Sequence, residues 1–553
     1  MTILLINPPF AMPDKPPLSV PTLAGHLKSK CIPVGAIDLN IEYYRRLLSP
    51  DRIDKEHRNA KDRFLRLSKK SRLDPDERRL YLLHRQVLEE PSVWLTELSD
   101  LFVDRDRPNI VQMDLFRRAV LLTTLRYYPE YLDFTESTQY IRHVSKHKKF
   151  STSGILESVE DRTCYSRILK GILDALSLEE PPDIVGISIT FPDQILPAVY
   201  SAKIIKNQMP TAHVTMGGTF VSCHMREIDD KRMFQFFDSL VLDDGEVPLE
   251  QLYAEVLSGR PKLNRIAGLV FCENGKIVKN KRQGRMINTH PPAPDYSVLP
   301  LDRYLINPDS MALLFRLSHG CYWGQCCFCK TKLPFINDYY QINPSLVYSQ
   351  LKDILSSTGI KIFHFADESA RPEVLEYLSK QIMKDGLNIN WVANIRCDKD
   401  FTIERCMLYR KAGCRFLYVG VESLTQRILA LMKKGITEPL VNKVLSNISW
   451  AGIPVVVYMI VGFPTETEAE AIGSFRKVVS FQRKGMIKNC IYNVFEMSPF
   501  SSIYSNPEQF GITECESPPG QNLMPVIDDF VSSGMTRERA KELCFSFVRE
   551  LNS

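Results

Sequence analysis

Residues 316–330 read RLSHGCYWGQCCFCK and put four cysteines, Cys321, Cys326, Cys327 and Cys329, within nine positions. Two cysteines separated by two residues direct both thiolates at one ion or cluster, a unit used by zinc ribbons and iron–sulfur sites alike. Only Cys326 and Cys329 have that spacing. A structural zinc needs four ligands; His319 is near in sequence, but no second CxxC completes the set. Three cysteines suit an iron–sulfur cluster with one open iron, and an open position is what a substrate-binding metal centre requires.

Outward from this cluster the cysteines thin out. The other ten of the 14 are scattered, which in a reducing compartment reads as small buried hydrophobes and not as disulfides. The chain has 553 residues, past the size at which one core keeps growing, and a composition of 44% hydrophobic and 24% charged residues that is ordinary for a globular protein. A net charge of +5 over 70 basic and 65 acidic residues is too balanced to imply a general nucleic-acid or membrane partner. The longest strongly apolar run, Val455 to Phe463, is about half of the ~20 residues that cross a bilayer. The amino terminus MTILLINPP lacks the basic start of a secretory signal, so the expectation is a soluble cytoplasmic protein without a membrane span.

Periodicity divides the chain. An apolar strand at Ile3 to Ile6, a helical stretch at Val20 to Lys30 and a strand at Val34 to Asp38 make a βαβ opening. Residues 48–179 are charged and helix-like and read as an insertion. The βα rhythm returns with DIVGISITF (183–191), AHVTMGG (212–218) and SLVLDDGE (239–246). Continuous apolar strands separated by helices predict a parallel doubly wound sheet, whose ligands sit at strand carboxyl ends. Gly217, Gly218, Asp244, Gly245 and Glu246 fall there. A polar stretch, 272–304, contains ENGKIVKNKRQGR and HPPAPD and reads as hairpin and linker. Strands at 312–317, 361–366, 390–395, 415–421, 455–461 and 490–496, with helices between them, predict a partial or complete barrel over 305–500. Residues 501–553 read as a loop and one helix.

The row GCYWGQCCFC after the first barrel strand resembles the radical SAM superfamily, whose usual signature is CxxxCxxC with an aromatic residue before the last cysteine. Phe328 holds the aromatic place, and the first gap is four residues instead of three, as in relatives that share the GCYWG opening. The resemblance implies a 4Fe-4S cluster on Cys321, Cys326 and Cys329, with Cys327 a bystander. It implies S-adenosylmethionine (SAM) held by Asp367 and Glu368 of FHFADES through its ammonium, by Asn394 and Arg396 of WVANIRCD, the arginine on the carboxylate, and by Glu422 of GCRFLYVGVES near the ribose. AGIPVVVYMIVGFPTET (451–467) resembles the fifth strand and its turn.

Residues 1–47 and 180–271 resemble the cobalamin-binding domain that often precedes such a barrel, through LLINPPF, DIVGISITFPDQ, VTMGGTF and DDGEVPLEQL. The implied cobalamin contacts are Ser188, Thr190, Gly217, Gly218, Asp244, Gly245 and Glu246. The DxHxxG motif that supplies a histidine to cobalt is absent, since AIDLNIEYY carries Asp38 but no histidine. The fold expected is thus α/β: a Rossmann-like doubly wound domain with a helical insertion, then a partial (β/α)6 TIM-like barrel.

Together the resemblances imply an enzyme that cleaves SAM to a 5′-deoxyadenosyl radical and, through methylcobalamin, methylates an unactivated carbon of a small-molecule or peptide substrate. The expected partner is an electron donor such as flavodoxin or ferredoxin. Two alternatives stay open: a cyclisation or rearrangement without methyl transfer, and a non-enzymatic iron–sulfur scaffold. No residue is assigned as catalytic acid, base or nucleophile.

Overall fold

A computed structural model describes residues 2–89, 150–160, 164–176, 180–282, 289–306, 308–515, 523–524, 526–527 and 530–552. The chain divides into two compact units, residues 1–222, 228–283 and 294–311 in one, and 223–227, 284–293 and 312–553 in the other.

The first unit is built on a seven-stranded sheet. Its strands are β1 (Ile3–Asn7), β2 (Val34–Asp38), β3 (Ile184–Ser188), β4 (His213–Gly217), β5 (Ser239–Val241), β6 (Leu269–Glu273) and β7 (Lys276–Lys279), in the spatial order β2-β1-β3-β4-β5-β6-β7. The first five run parallel and the last two antiparallel. Strands β1 and β3 are buried at every position, as a parallel sheet covered on both faces requires. Helices Ser19–Ser29 and Glu246–Leu257 pack together, and Ile3, Leu5, Val20, Ala24, Leu27, Leu249, Leu252 and Leu269 share one core. The order reverses between β1 and β3, so the topological switch point, where open α/β sheets bind ligands, lies beyond Asn7 and Ser188.

Two local sequences refine the expected pattern. The strand SLVLDDGE ends at Val241, because Asp243 adopts φ +65° and turns the chain. Asn274 and Gly275 both take positive φ, the pairing that closes a two-residue hairpin. That hairpin, β6–β7, extends the sheet beyond β5. The described part of the 48–179 insertion is helical: Pro50–Ser68, Pro75–Glu89, Thr152–Glu160 and Cys164–Asp174. The last of these packs on helices Leu39–Leu47 and Ile195–Gln208. Residues 90–149 of the insertion lie outside the described residues.

The second unit carries six parallel strands, β8 (Ala312–Phe315), β11 (Ile362–Phe365), β12 (Asn390–Arg396), β13 (Cys414–Glu422), β14 (Val455–Val461) and β15 (Asn489–Val494), ordered β15-β14-β13-β12-β11-β8. Between β8 and β11 the short β9 (Ser318–His319) pairs antiparallel with β10 (Tyr340–Gln341). The sheet does not close, since β8 and β15 are its edges, so the barrel is partial. Burial alternates along β14 although every residue there is apolar or aromatic. Outward side chains are sealed by helices, while inward ones line an interior that solvent reaches. The tail adds a ribbon, β16 (Ile512–Cys515) with β17 (Phe530–Ser532), to the expected helix, Arg537–Asn552. That helix packs on β15, with Phe547 stacked on Phe475 at 4.2 Å. No helix among the described residues is long and apolar enough to cross a membrane.

Candidate active site

The cysteine loop leaves β8 at the carboxyl mouth of the barrel and is tied down from several strands. At the end of β11 the Asp367 carboxylate accepts from Leu317 N (2.9 Å), Ser318 N (2.7 Å) and Ser318 Oγ (2.6 Å). It is buried, and desolvation pushes its pKa up to about 6 despite these donors. Gly320 follows at φ +72°, where an added Cβ would lie 2.7 Å from the Ile336 carbonyl oxygen, so this turn accepts only glycine. Cys321 N donates to that same oxygen at 3.0 Å.

The four-residue gap between Cys321 and Cys326 makes room for two aromatic side chains, and both are clamped. The Arg371 guanidinium sits 4.9 Å from the Tyr322 ring and 5.0 Å from the Tyr339 ring. The Arg396 guanidinium lies 3.8 Å from the Trp323 ring and donates to Lys434 O at 2.6 Å. Trp323 Nε1 donates to Lys433 O at 2.9 Å. Lys433 and Gly435 both have positive φ, and a Cβ at Gly435 would stand 2.1 Å from the Trp323 ring. The turn after helix Gln426–Leu431 is thereby shaped around the indole.

Cys327 faces away from the other cysteines. It is fully buried in an apolar cluster with Ile428, Met432, Phe463 and Ile503, and burial pushes its thiol up to about 12. Its amide donates to Met432 O and its carbonyl accepts from Ile503 N. Cys326 and Cys329 share a hydrogen bond that pulls Cys326 down to about 7 and holds Cys329 well above its ordinary value. Lys434 and Arg396 add positive charge beside the pair. Lys434 is itself buried, which alone would lower its pKa, but Glu422, 2.9 Å away, and the thiols overrule this and raise it. Among the described residues no three His, Cys, Asp or Glu side chains converge on a point for a single ion. Soft sulfur donors on a loop with cations beside it fit a cluster, whose irons each take one thiolate, better than a mononuclear cation.

The residues expected around SAM separate into two sets. Asp367, Asn394, Arg396 and Glu422 are engaged inside the protein: Asn394 Nδ2 reaches Asp367 O at 3.3 Å, and Glu422 pairs with Lys434. Phe328 packs on the Cys327 cluster, 5.9 Å from Lys434 Nζ. Glu368 alone of the group is exposed. Sequence reasoning missed Arg371, Tyr322, Trp323, Lys434 and Gly435. The Lys-Lys-Gly that ends LALMKKG marks a helix stop, but nothing in it announces an indole as the partner.

In the first unit Ser188, Thr190, Gly217, Gly218, Asp244, Gly245 and Glu246 gather beyond the carboxyl ends of the neighbouring strands β3, β4 and β5. Ser188 Oγ donates to Ser19 Oγ at 2.9 Å. The Gln194 carboxamide accepts from Thr190 N and Phe191 N and donates to Pro8 O, which bridges the switch point. Gly218, at φ +101°, is required by the fold itself, because a Cβ there would meet Ile189 O at 2.5 Å. Asp38 is consumed internally: it caps helix Leu39–Leu47 through Asn40 N and Ile41 N and accepts from Asn7 Nδ2 and Tyr304 Oη. Thr190, Gly217, Asp244, Gly245 and Glu246 stay partly accessible and Phe191 is exposed, so the shelf suits a ligand held by backbone and van der Waals contact.

Residues 315–478 match the Radical SAM superfamily. That stretch of the second unit is a radical SAM domain. An uncharacterised methyltransferase of Pyrococcus horikoshii is 29% identical over 329 residues, 56% of this chain and 69% of its own length. The bacteriochlorophyllide d C-12(1)-methyltransferase of Chlorobaculum tepidum is 29% identical over 187 residues, 33% of this chain and 39% of its own. Among solved structures, the radical SAM methyltransferase TsrM from Kitasatospora setae, with cobalamin and a [4Fe-4S] cluster bound, superposes with a TM-score of 0.59 at 14% identity, covering 100% of this chain and 88% of that one. The cobalamin-dependent radical enzyme OxsB, with aqua-cobalamin and SAM bound, gives 0.59 at 15%, covering 99% and 66%. At such identities the likeness is one of fold, and it extends over both units.

Proposed function

We propose that this radical SAM protein holds a [4Fe-4S] cluster on Cys321, Cys326 and Cys329, cleaves SAM reductively and, with cobalamin on the shelf of its first unit, methylates an unactivated carbon of a small-molecule or peptide substrate in biosynthesis. The main support is the hydrogen-bonded Cys326–Cys329 pair, whose Cys326 thiol is pulled down to about 7, in a loop clasped at the carboxyl mouth of a parallel partial barrel. When bound, the cluster would pass one electron to SAM, whose carbon–sulfur bond breaks to a 5′-deoxyadenosyl radical that abstracts hydrogen, and methylcobalamin would supply the methyl group.

The chain's own residues provide placement. The three thiolates would hold the irons, and the ammonium of Lys434 and guanidinium of Arg396 offset their negative charge. Glu368, exposed beside the loop, is the acceptor for the ammonium of SAM. Asp367 serves by fixing Leu317 and Ser318 and not by touching the ligand. The electron comes from a donor such as flavodoxin or ferredoxin in a cytoplasmic setting. The second reading is a non-methylating cyclisation; among the described residues no histidine stands at the carboxyl ends of β3, β4 or β5 to ligate cobalt, and Asp38 is spent on internal bonds.

The two readings part in one experiment. Anaerobically reconstituted protein with dithionite and SAM is expected to release 5′-deoxyadenosine; an intact cluster with no such product would sink both. Loading with hydroxocobalamin should then add S-adenosylhomocysteine as a second product. Its absence from corrinoid-loaded protein that still yields 5′-deoxyadenosine selects the cyclase.

A further inference from the structure

The end of the partial barrel opposite the cysteine loop has a composition the reaction does not explain. Three helices of this unit, Pro372–Asp385, Ile403–Lys411 and Glu438–Trp450, each bear one exposed large apolar side chain: Met383 (47% exposed) and Trp450 (85%) near the helix ends and Met407 (48%) at mid-helix. Eight exposed cations surround them at helix ends and strand starts, namely Lys361, Lys384, Arg410, Lys411, Arg415, Arg483, Lys484 and Lys488. The helices' other acids, Glu373, Glu376, Glu404 and Glu438, lie in their first halves, and Asp385, at a helix end on this side, is engaged by Lys352 and by the Tyr348 hydroxyl. At the flank the last helix adds Arg549 and Glu550, which cancel.

Backbone bonds make these positions neighbours. Lys488 N donates to Val455 O, Leu417 N to Pro454 O and Asn390 N to Lys361 O, which sets the strand starts side by side. Ser449 Oγ donates to Gly485 O at 2.9 Å, joining the helix end at Trp450 to the one at Lys484. A Cβ at Gly452 would lie 4.0 Å from Arg410 Nε, which brings the third helix end to the same place. Trp450 therefore stands between Arg410 and Lys484, in the middle of the arc.

Part of this charge has an ordinary cause, because cations in a last helical turn offset the helix dipole. That accounts for Lys384, Arg410, Lys411 and Arg483. Arg415, inside β13, is held by Asn390 Oδ1 at 2.6 Å. Neither cause accounts for Lys361 and Lys488, which precede strands, or for an indole left 85% in water.

We propose that this rim is a docking face for an anionic lipid surface. The cations are spread along an arc and do not converge, which matches a diffuse field of headgroups better than one bound phosphate. Trp450 and Met383 protrude from helix ends, so a rigid acidic protein would need matching pockets, whereas the soft interfacial layer of a bilayer admits a tryptophan and a methionine in any arrangement. Docked this way, the barrel keeps its carboxyl mouth, with the cysteine loop, away from the lipid.

The test uses the full chain with vesicles of phosphatidylcholine alone and with about 30% phosphatidylglycerol. Sedimentation with the anionic vesicles only, and release at about 0.5 M salt, is expected. Trp450→Ala should weaken partitioning about fivefold and the double variant Lys411→Glu, Lys484→Glu at least about tenfold, both with 5′-deoxyadenosine formation unchanged. Wild-type protein that ignores anionic vesicles overturns the proposal, as do variants that bind them like wild type. Failure on vesicles together with tight binding of duplex DNA or tRNA, sensitive to the same variants, assigns the rim to nucleic acid instead.

Discussion

The Arg396 guanidinium lies 3.8 Å from the ring of Trp323, and the same arginine donates to the Lys434 carbonyl while the indole donates to the Lys433 carbonyl. Two residues from distant parts of the domain thus grip one turn from both sides. A cation over an indole contributes about 2 kcal/mol when desolvated, and the planar fork is what reaches a carbonyl at the same time. Arg396→Lys should therefore keep the charge but lose the clasp. Reconstituted variant protein is expected to bind less iron and show weaker visible cluster absorbance, with a fall in Tm corresponding to about 2 kcal/mol.

Gly435 provides a sharper measure of the same contact, because strain and clash can be separated. Gly359 has nearly the same backbone, φ +70° against +69°, with nothing within 4 Å of an added Cβ, whereas at Gly435 that atom would meet the Trp323 ring at 2.1 Å. Gly359→Ala should cost about 1 kcal/mol for the left-handed conformation alone. Gly435→Ala adds displacement of the indole and should cost at least about 3 kcal/mol by denaturant unfolding, together with loss of iron. Equal costs would mean that Trp323 yields without consequence.

Glu466 makes stability depend on pH in an unusual direction. It is buried, its Oε2 accepts from Gly462 N, and desolvation raises its pKa to about 7. A carboxyl whose folded pKa lies above its unfolded one holds its proton more tightly when folded. Its contribution is therefore fully present below the unfolded pKa of about 4.3 and is lost as pH rises toward 7, by about 3 kcal/mol. Glu466→Gln should flatten that slope, so the variant gains on wild type between pH 5 and pH 8. Parallel urea curves at the two pH values are the check, and a difference that does not change with pH would contradict the burial argument.

What could be read in the chain beforehand follows from range. Strands such as β13 and β14 announce themselves because Val455 to Val461 is continuously apolar, and the β6–β7 hairpin because Asn274-Gly275 is a turn signal in two residues. The proposed cysteine ligands could be picked out because their spacing is local. Partnerships across strands were not: that Arg396 meets Trp323, or that Lys434 meets Glu422, depends on strand order and on a turn whose shape only the fold sets. Asp367 shows the limit most clearly. A carboxylate after a barrel strand suits a ligand's ammonium, yet Ser318 and Leu317 claim it, and its neighbour Glu368 keeps the exposed position.

The adjacent cysteines give the last prediction. Cys326 shares its hydrogen bond with Cys329 and ionises near 7, while Cys327 points into the Ile428–Met432–Phe463 cluster with its thiol near 12. Iron takes thiolates, and Cys327 is committed to its apolar cluster and not to the Cys326–Cys329 pair. Cys326→Ala should abolish the visible absorbance of reconstituted protein and all 5′-deoxyadenosine formation, with little change in Tm of the iron-free chain. Cys327→Ala should do the reverse, keeping cluster and product while losing about 1–2 kcal/mol from an apolar cluster that closes around the sulfur. Iron content and unfolding curves on both variants decide it. If Cys327→Ala loses iron and Cys326→Ala keeps it, the loop must rearrange on binding and the pair seen here is not the ligand pair.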